Sequence, residues 1–360
     1  MAANTNLHKA KNAKNDEFYT QLTDVAKELM HYKHHFKDKI VFCNCDDPTW
    51  SAFWKYFHLN FEALGLKKLI STHYDKTEPT YKMEYTGGDD NDIEVGVKTP
   101  LEGNGDFRNA ECIELLKESD IVVTNPPFSL FREYVAQLME YEKKFLIIGN
   151  KNAVTNKEFF PLISANNMWI GVTPMSKDML FTVPKEKETE LVTKSKSGSA
   201  YRVVDGVIYA RAAAIWFTNL DHKKRHEKLI LWKNYTSEEY PTYDNYDAIE
   251  VSKVSDIPID YDGVMGVPIS YMDKYCPEQF EILGCTQRGC HDLVPDTKKY
   301  DDYKEINHKT GMPTGSSGGK TNENTNLARN DGKHNYFMNA EGHIVQSTYS
   351  RIFIRRKAGV

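Results

Sequence analysis

The sequence predicts an α/β protein with a doubly wound, mostly parallel, seven-stranded sheet that ends in an antiparallel hairpin. Short apolar runs alternate with segments of helical periodicity over the first 150 residues, which is typical of βα units. A hydrophobic fraction of 40% and a charged fraction of 27% are those of a globular protein. The composition changes after Leu220, so we expect a smaller, irregular C-terminal region beyond the sheet.

The elements follow one another in a regular order. A helix in "DEFYTQLTDVAKELMHYKHHF" precedes a strand in "DKIVFCNCDDP", and the helix "TWSAFWKYFHLNFEALG" precedes the strand "LKKLISTHYD". The turn-rich segment 76–105 predicts an inserted β-hairpin. The helix "GDFRNAECIELLKES", the strand "DIVVT", the helix "FSLFREYVAQLMEYEK" and the strand "KFLIIGN" come next. A strand pair around Asp205-Gly206 is expected to finish the sheet.

The aromatic stripe at the start of the second helix has two interpretations. Helical spacing favours burial in the core over a stacking platform. Its members are Trp50, Phe53, Trp54, Tyr56 and Phe57.

Composition shifts divide the chain into four parts. Residues 1–15 are expected to form a basic flexible arm, and residues 16–220 the α/β domain. Residues 221–262 look like an acidic, Tyr-rich connector, and residues 263–360 form the C-terminal region. The net charge of −5 does not by itself indicate a nucleic-acid partner, but both ends of the chain are locally basic.

Several broad classes are disfavoured. No apolar run approaches the ~20 residues of a membrane helix, and the N-terminus lacks the apolar segment of a secretory signal, so a cytoplasmic protein is expected. The six cysteines are then expected to be reduced thiols. Cys285, Cys290 and His291 do not have a standard zinc spacing, and no metal is expected.

Polar residues stand at the ends of the predicted strands. In an open α/β sheet these ends converge on one edge, where ligands bind. Carboxylates there can accept hydrogen bonds from ribose hydroxyls or an adenine amino group, although Asp and Asn are also ordinary turn residues. The stretches concerned are Asn44-Cys45-Asp46-Asp47, His73-Tyr74-Asp75, Gly105-Asp106-Phe107 and Asn125-Pro126-Pro127-Phe128.

The Asn-Pro-Pro-Phe stretch is the most specific of these. It suits methyl transfer to an exocyclic amine, whose lone pair is delocalised into the ring. The amide oxygen of Asn125 and the carbonyl of Pro126 could grip the two amine hydrogens, and Phe128 could cover the base. Pro126 and Pro127 have a fixed φ and no N–H, so that carbonyl is held rigidly.

These motifs resemble those of the EcoRI-type adenine-specific DNA methyltransferases, which use S-adenosylmethionine. "NPPF" looks like the catalytic motif, "DEFYT" like the upstream cofactor motif and "GDF" like the adenine-ring motif. The resemblance implies a Rossmann-like methyltransferase fold and a catalytic domain over residues 16–220. It assigns cofactor contacts to Phe18, Tyr19, Thr20, Asn44, Asp46, Asp47, Asp75, Asp106 and Phe107, and the target base to Asn125, Pro126, Pro127 and Phe128.

One departure from the family pattern concerns the first loop. "CNCDDPTW" has no glycine where most such enzymes have several, although glycine permits close backbone approach to a ligand. The roles of Asn44, Asp46 and Asp47 therefore stay open.

The resemblance also implies double-stranded DNA as substrate, with a flipped-out adenine. Residues 263–360 would recognise the target, with GAATTC as a first site to try. A monomer is expected because the recognition region is carried on the same chain, and a cognate endonuclease would act on the same site without direct contact. Weak DNA-contact candidates are Lys9, Lys11, Lys14, Lys320, Asn322, Asn324, Arg329, Arg351, Arg355 and Arg356. Methylation of RNA or of a protein glutamine, and a non-catalytic DNA-binding protein on the same fold, are the alternatives.

Overall fold

The computed structural model describes residues 19–75, 79–183, 185–194, 197–198, 200–286, 290, 293–317 and 321–359. These residues fall into two compact units. The first comprises the described residues of Met1–Asn152 and Met168–His222, and the second those of Ala153–Asn167 and Lys223–Val360. The catalytic and target-recognition roles assigned to the predicted domains stay predictions.

The strands and helices are short. In chain order the described strands are β1 (Tyr19–Thr20), β2 (Ile40–Cys43), β3 (Lys68–Thr72), β4 (Tyr81–Tyr85), β5 (Val97–Pro100), β6 (Ile121–Thr124), β7 (Lys144–Asn150), β8 (Trp169–Ile170), β9 (Met179–Thr182), β10 (Tyr201–Val204), β11 (Val207–Ala212), β12 (Ala214–Thr218), β13 (Ile249–Glu250), β14 (Met265–Pro268), β15 (Phe280–Cys285), β16 (Lys304–Ile306), β17 (Pro313–Ser317), β18 (Asn326–Leu327), β19 (Tyr336–Met338), β20 (Ile344–Ser347) and β21 (Arg351–Arg356). The α-helices are α1 (Leu22–Leu29), α2 (Ala52–Leu59), α3 (Phe61–Leu64), α4 (Ala110–Glu118), α5 (Phe131–Glu140), α6 (Phe160–Ser164) and α7 (Lys185–Lys194).

The main sheet of the first unit is mixed and has eight strands, in the order β5-β4-β3-β2-β6-β7-β12-β8. Only β3, β2, β6 and β7 are mutually parallel, and the strands outside them pair antiparallel. The predicted count of seven and the description "mostly parallel" are therefore wrong. The predicted insertion hairpin, β4–β5, extends the sheet at one edge, and the two-residue β8 extends it at the other. The mixed α/β architecture is consistent with a methyltransferase fold.

The predicted terminal hairpin forms, but it does not finish the main sheet. β10 and β11 pair around Asp205 and Gly206, whose φ angles of 51° and 79° suit a tight hairpin turn. They belong to a separate four-stranded sheet in the order β1-β9-β11-β10. Ala213 separates β11 from β12, which pairs with β7 in the main sheet. The chain thus passes from one sheet to the other at Ala213. The run of small and apolar residues here did not predict this change.

Helix α2 supplies much of the core of the first unit. Ser51 caps it, because its side-chain oxygen accepts hydrogen bonds from the backbone N–H groups of Phe53 and Trp54 at 3.1 and 3.2 Å. Four members of the predicted aromatic stripe are buried, which confirms the core interpretation for them: Phe53, Trp54, Tyr56 and Phe57. Each such burial contributes about 1.5–3 kcal/mol. Trp50 is the exception, since it is 38% exposed.

The second unit contains two further sheets. One has four strands in the order β13-β14-β21-β15, and the other has five in the order β17-β16-β19-β20-β18. Strand β21, near the C-terminus, lies between β14 and β15 and pairs antiparallel with both. Within the ranges described above, no helix combines the length and the apolar character that crossing a membrane demands.

Candidate active site at the carboxyl edge of the main sheet

The centre of the main sheet contains a topological switch point. Strand β2 pairs in parallel with β3 on one side and with β6 on the other. The chain runs from β2 to β3 and only later crosses to β6, so the connections leave β2 in opposite directions. In open α/β sheets a crevice forms at the carboxyl ends of such strands. The polar stretches after β2, β3 and β6 therefore meet where a ligand would bind.

Hydrogen bonds join these three strand ends directly. The Thr124 hydroxyl, at the end of β6, lies within hydrogen-bond distance of both the backbone carbonyl of Asn44 and the carboxylate of Asp46. The Ser71 hydroxyl, near the end of β3, contacts the backbone carbonyls of Cys43 (3.2 Å) and Asp46. Four polar residues take part and all are buried: Asn44, Asp46, Ser71 and Thr124. The loop after β2 is thus fixed from both sides by its neighbours.

Cys45 accounts for the missing glycines in this loop. Its φ is 65°, in the left-handed region that glycine usually occupies. The Cys45 thiol donates to the side-chain oxygen of Asn44 at 3.3 Å. The loop therefore makes the sharp turn of a glycine-rich loop while keeping a side chain, at a cost of about 1–2 kcal/mol of backbone strain.

Asp46 points into the protein rather than into the crevice. It is 4% exposed, and its carboxylate accepts from Ser51 at 3.2 Å as well as from Thr124. Burial raises the pKa of Asp46 to about 7, although hydrogen bonds from Thr124, Ser51 and the backbone of Asn125 oppose the rise. This placement favours a positioning role over the predicted direct cofactor contact, since both oxygens are engaged inside the protein.

Asp47 is likewise engaged by its neighbours. Its carboxylate lies 2.9 Å from His73 Nδ1 and accepts from the Tyr81 hydroxyl at 2.9 Å and from Thr49 at 2.8 Å. Burial works to raise the pKa of Asp47, but these hydrogen bonds outweigh it and hold the pKa well below its usual range. Asp47 therefore ties the ends of β2, β3 and β4 together, and little of its carboxylate is left for a ligand.

The loops around Asp75 and Gly105 lie side by side. The Asp75 backbone N–H donates to the carbonyl of Asn104 at 3.2 Å, and the Asp75 side chain is half-buried. Gly105 has a φ of 72°, and a β-carbon there would collide with the backbone carbonyl of His73. Only glycine can follow this path without a shift of the backbone, so the predicted convergence of these two stretches depends on Gly105.

Substitution of Gly105 by alanine should lower the free energy of unfolding by about 3 kcal/mol, because it adds a backbone collision to left-handed strain. Gly206→Ala is the matched control: its φ is 79°, but a β-carbon there meets nothing within 4 Å. The control should lose only about 1 kcal/mol. Urea unfolding of both variants measures the difference, and equal losses would show that the His73 contact is unimportant.

The adenine-ring motif is anchored by Arg108. Both oxygens of the Asp106 carboxylate accept from the Arg108 guanidinium, at 2.8 and 2.7 Å. Burial would raise the pKa of Asp106, but Arg108 outweighs it and the pKa is lowered. The Phe107 ring is 2% exposed and packs edge-to-face on Tyr134 at 5.0 Å. This burial favours a structural role for the Phe107 ring over the predicted contact with a cofactor ring.

The Asn-Pro-Pro-Phe stretch follows β6 without a gap. Asn125, Pro127 and Phe128 are half-buried, and Pro126 is buried. Phe128 opens a 3₁₀ turn, Phe128–Leu130, and packs against the hydrophobic core of the first unit. The strand end is therefore rigid, since Thr124 holds it on one side and Phe128 on the other.

The upstream motif lies on β1. Phe18 and the side chain of Tyr19 are outside the described part of the chain, whereas Thr20 pairs with Phe181 of β9. Phe181 belongs to the core cluster against which Phe128 packs. The sheet that carries Thr20 and the stretch that carries Asn125 thus share one core.

The residues present fit a polar cofactor. The Thr20 hydroxyl oxygen and the Asn44 side-chain nitrogen are buried and have no hydrogen-bond partner among the residues that the structure describes. A buried polar group left in this state costs about 1–3 kcal/mol, which a bound ligand with hydroxyl, amine and carboxylate groups can recover. S-adenosylmethionine has all three.

The residues predicted to contact DNA differ in their exposure and in their bonds within the protein. Four of them lie outside the described residues: Lys9, Lys11, Lys14 and Lys320. His291, considered above as a metal ligand, also lies outside them. Asn322 exchanges two hydrogen bonds with the backbone of Tyr300, at 2.9 and 2.8 Å. Asn324 is half-buried, and Arg329 is exposed.

Arg351 differs from the other two arginines of β21. It is 8% exposed and forms a bidentate pair with Glu250, at 2.9 and 2.6 Å, which favours a structural role over a phosphate contact. Arg355 and Arg356 lie nearer the surface, where they pair with Glu281 (2.6 Å) and Asp262 (2.8 Å).

Three residues of the site escaped the sequence interpretation: Ser51, Ser71 and Thr124. A signal existed for one of them, because Thr124 is the polar end of an apolar strand immediately before Asn125. Ser51 and Ser71 gave none, since serine at a helix start or near a strand end is ordinary.

Comparisons with known proteins identify a family for this chain. Residues 6–357 match the family model described as adenine-specific methyltransferase EcoRI. The chain is 47% identical over 296 residues to Type II methyltransferase M.EcoRI of Escherichia coli, which covers 78% of this chain and 89% of that protein. It is 40% identical over 310 residues to Type II methyltransferase M.MpnI of Mycoplasma pneumoniae, with coverages of 84% and 92%. Type II methyltransferase M.MgeORF184P of Mycoplasma genitalium is 37% identical over 311 residues, with the same coverages. No solved structure matches the chain significantly.

Proposed function

The chain belongs to the EcoRI family of adenine-specific methyltransferases, and from this premise we propose that Asn125, Pro126 and Phe128 hold the adenine it methylates. It is a site-specific DNA methyltransferase of the Type II group. The proposal concerns the finer chemistry: S-adenosylmethionine as the donor, N6 as the acceptor and these residues as the grip. The observation that carries it is the rigid Asn-Pro-Pro-Phe stretch at the switch point, tied to the loop after β2 through Thr124.

The proposed residues would act by orienting the N6 nitrogen, not by removing a proton from it. The Asn125 amide oxygen and the Pro126 carbonyl would accept the two N6 hydrogens and turn the lone pair outward. The rigid strand end would hold both acceptors in place, so little reorganisation would be needed as positive charge develops on the nitrogen. The bound cofactor would supply an electrophilic methyl group on a sulfonium: as the nitrogen–methyl bond forms, the sulfur–methyl bond breaks to leave a neutral thioether, and the surplus N6 proton is released to water. Positioning by the chain then replaces a strong general base.

The cofactor would lie across the edge of the sheet. Thr20 and Asn44 would give hydrogen bonds to it, and Asp75 would accept from its ribose hydroxyls. Asp46 and Asp47 would support the loop from behind, because their carboxylates are occupied within the protein. Adenine N6 is stacked and paired in a duplex, so the target base must first leave the helix, at a cost of a few kcal/mol.

The decisive experiment is transfer of a labelled methyl group to unmethylated duplex DNA, followed by nucleoside analysis. Duplexes with and without GAATTC would be compared in the same assay. N6-methyladenine in the GAATTC duplex supports both the acceptor and the site. Label in other sequences alone would reject that site. RNA and a glutamine-containing protein would be offered in parallel reactions, and label only in one of these would reject the acceptor.

Arg355 and Arg356 are proposed to lie near DNA phosphates. Their double replacement by glutamine should weaken binding to all duplexes and lower the slope of log Kd against log salt by up to about 2. Because Arg355 already pairs with Glu281 and Arg356 with Asp262, the decrease in slope should be smaller than for two unpaired arginines. Arg202→Gln is the control, since this exposed arginine pairs with Asp178 in the first unit. An unchanged salt slope in the double variant would remove the two arginines from the interface.

A monomer is expected to do this work, because one chain carries both units. Each strand of a palindromic site would then be methylated in a separate event. A cognate endonuclease acting on the same site, without direct contact, would complete the restriction-modification pair. Sedimentation of the enzyme with and without DNA tests the monomer.

A further inference from the structure

The largest apolar exposures of the second unit include two residues close together in sequence. Ile230 is 89% exposed and Trp232 is 66% exposed. Along residues 228–234 exposure alternates, so that Lys228, Ile230, Trp232 and Asn234 lie outward while the residues between them are half-buried. Alternation with period two places successive outward side chains on one face of an extended chain. We call these four residues the 228–234 face.

The backbone of this segment is anchored, so its exposure is not that of a loose tail. The Gln279 side chain holds Leu229 at both backbone groups: it accepts from the N–H at 2.7 Å and donates to the carbonyl at 2.9 Å. At the other end, the carbonyl of Lys233 accepts from the N–H of Ile259 at 2.8 Å. Two large apolar side chains are therefore fixed in contact with solvent. This exposure costs free energy, which a bound partner would recover by covering them.

The same anchors connect the face to the C-terminal tail. The carbonyl of Gln279 accepts from the N–H of Lys357 at 3.0 Å, and the Arg356 guanidinium donates to the carbonyl of Ile259. Arg355, Arg356 and Lys357 line a cavity of 520 Å³ together with Asp262 and Glu281. The 228–234 face and this cavity thus belong to one continuous surface of the second unit.

The charge of this surface suits a polyanion. Residues 223–234 contain five Lys or Arg and one Glu, in a chain whose net charge is −5. Lys233 pairs with two acids outside the segment, Asp256 at 3.3 Å and Glu239 at 3.8 Å. Lys223 and Lys228 are exposed. Cations interleaved with an exposed tryptophan are typical of nucleic-acid surfaces.

We propose that the 228–234 face and the adjoining tail form one docking surface for the duplex DNA substrate. Ile230 and Trp232 contact sugars and base edges in a groove, and Lys228 with the tail cations binds the flanking phosphates. The inference rests on the proposed function, because it takes DNA as the substrate. It adds an apolar component to an interface that charge alone suggested.

The test compares Trp232→Ala and Ile230→Ala with Val97→Ala, whose side chain is also 66% exposed but lies on β5 of the first unit. Each of the first two variants should weaken binding to duplexes by about tenfold, and the control should not. Lys228→Gln should lower the salt slope by about 1. Thermal unfolding should be unchanged in all four, because the side chains are exposed.

Tryptophan fluorescence gives a second readout. Trp232→Phe keeps an aromatic ring, so it should retain binding but lose most of the emission change that DNA causes in the wild type. Wild-type methylation of DNA combined with unaltered affinity in Trp232→Ala would overturn the inference and leave the proposed function intact. A wild-type dimer that Trp232→Ala makes monomeric would also overturn it, by assigning the face to a second copy. Absence of DNA methylation by the wild type would instead reject the proposed function.

Discussion

Replacement of Asn125 by alanine should lower methyl transfer to DNA by about a thousandfold or more. The alanine variant loses one of the two acceptors that would hold N6, and the remaining carbonyl of Pro126 cannot orient the nitrogen alone. Affinity for DNA should be nearly unchanged, because most of it comes from phosphate contacts elsewhere. Single-turnover transfer and equilibrium binding, measured on the same duplex, separate the two effects.

Asn125→Asp provides the sharper comparison. A carboxylate also accepts hydrogen bonds, so this variant should retain a measurable part of the rate that alanine removes. Asn91→Ala, in the exposed turn between β4 and β5, controls for the loss of an amide elsewhere in the unit. Turnover of Asn125→Ala at the wild-type rate would withdraw the catalytic assignment. A rate in Asn125→Asp as low as in alanine would show that the N–H₂ group, rather than the oxygen, is needed.

The edge of the sheet was predictable because it depends on local order along the chain. An apolar run that ends in polar residues indicates the carboxyl end of a buried strand, and parallel strands bring such ends together. The stretches around Asn44, Asp75 and Asn125 met this condition. Hydrogen bonds join the loop after β2 to the end of β6 through Thr124, and they join Asp75 to Asn104 beside Gly105. The sheet partner of each strand was less predictable, because pairing depends on contacts distant in sequence. The β10–β11 hairpin therefore formed as expected but in another sheet.

The structural role of a side chain could not be predicted from its residue type alone. Asp46 and Asp47 are adjacent carboxylates, yet burial raises the pKa of the first and hydrogen bonds lower that of the second. Arg351 and Arg355 are four residues apart on one strand, and one is buried with Glu250 while the other is exposed. In each case the deciding partner is another strand or loop, which no local pattern contains.

Replacement of Asp46 by asparagine should change the free energy of unfolding and its dependence on pH. The pKa of Asp46 is about 7 in the folded chain and 3.8 in the absence of structure. A carboxyl with a raised pKa stabilises the fold fully at low pH, and the contribution is lost as pH rises through the folded value. Between pH 5 and pH 7 the wild type should therefore lose about 2 kcal/mol that Asp46→Asn, which cannot titrate there, does not lose.

The comparison must be made as a difference between wild type and variant across pH. The pKa of His73 is also raised, chiefly by its hydrogen bond to Asp47, and its contribution falls over a neighbouring range; it cancels in the difference. Asp178→Asn is the control, because Arg211 and Arg202 lower the pKa of Asp178 to about 2 and its contribution is constant above pH 5. Urea unfolding at pH 5, 6, 7 and 8 gives the three curves. Parallel curves for wild type and Asp46→Asn would show that Asp46 is charged throughout.

The same variant connects stability to catalysis. Above about pH 7, where Asp46 is ionised, its buried carboxylate accepts from Thr124, from Ser51 and from the backbone of Asn125, so it fixes the residue proposed to grip the base. An asparagine offers a single acceptor oxygen and puts an N–H₂ donor in the place of the other oxygen. The Asn125 loop should then be less well positioned, and kcat should fall about tenfold with little change in the KM for DNA. A rise in KM alone would instead mean that the residue supports substrate binding, whereas a fall in kcat with normal binding assigns it to the alignment of Asn125.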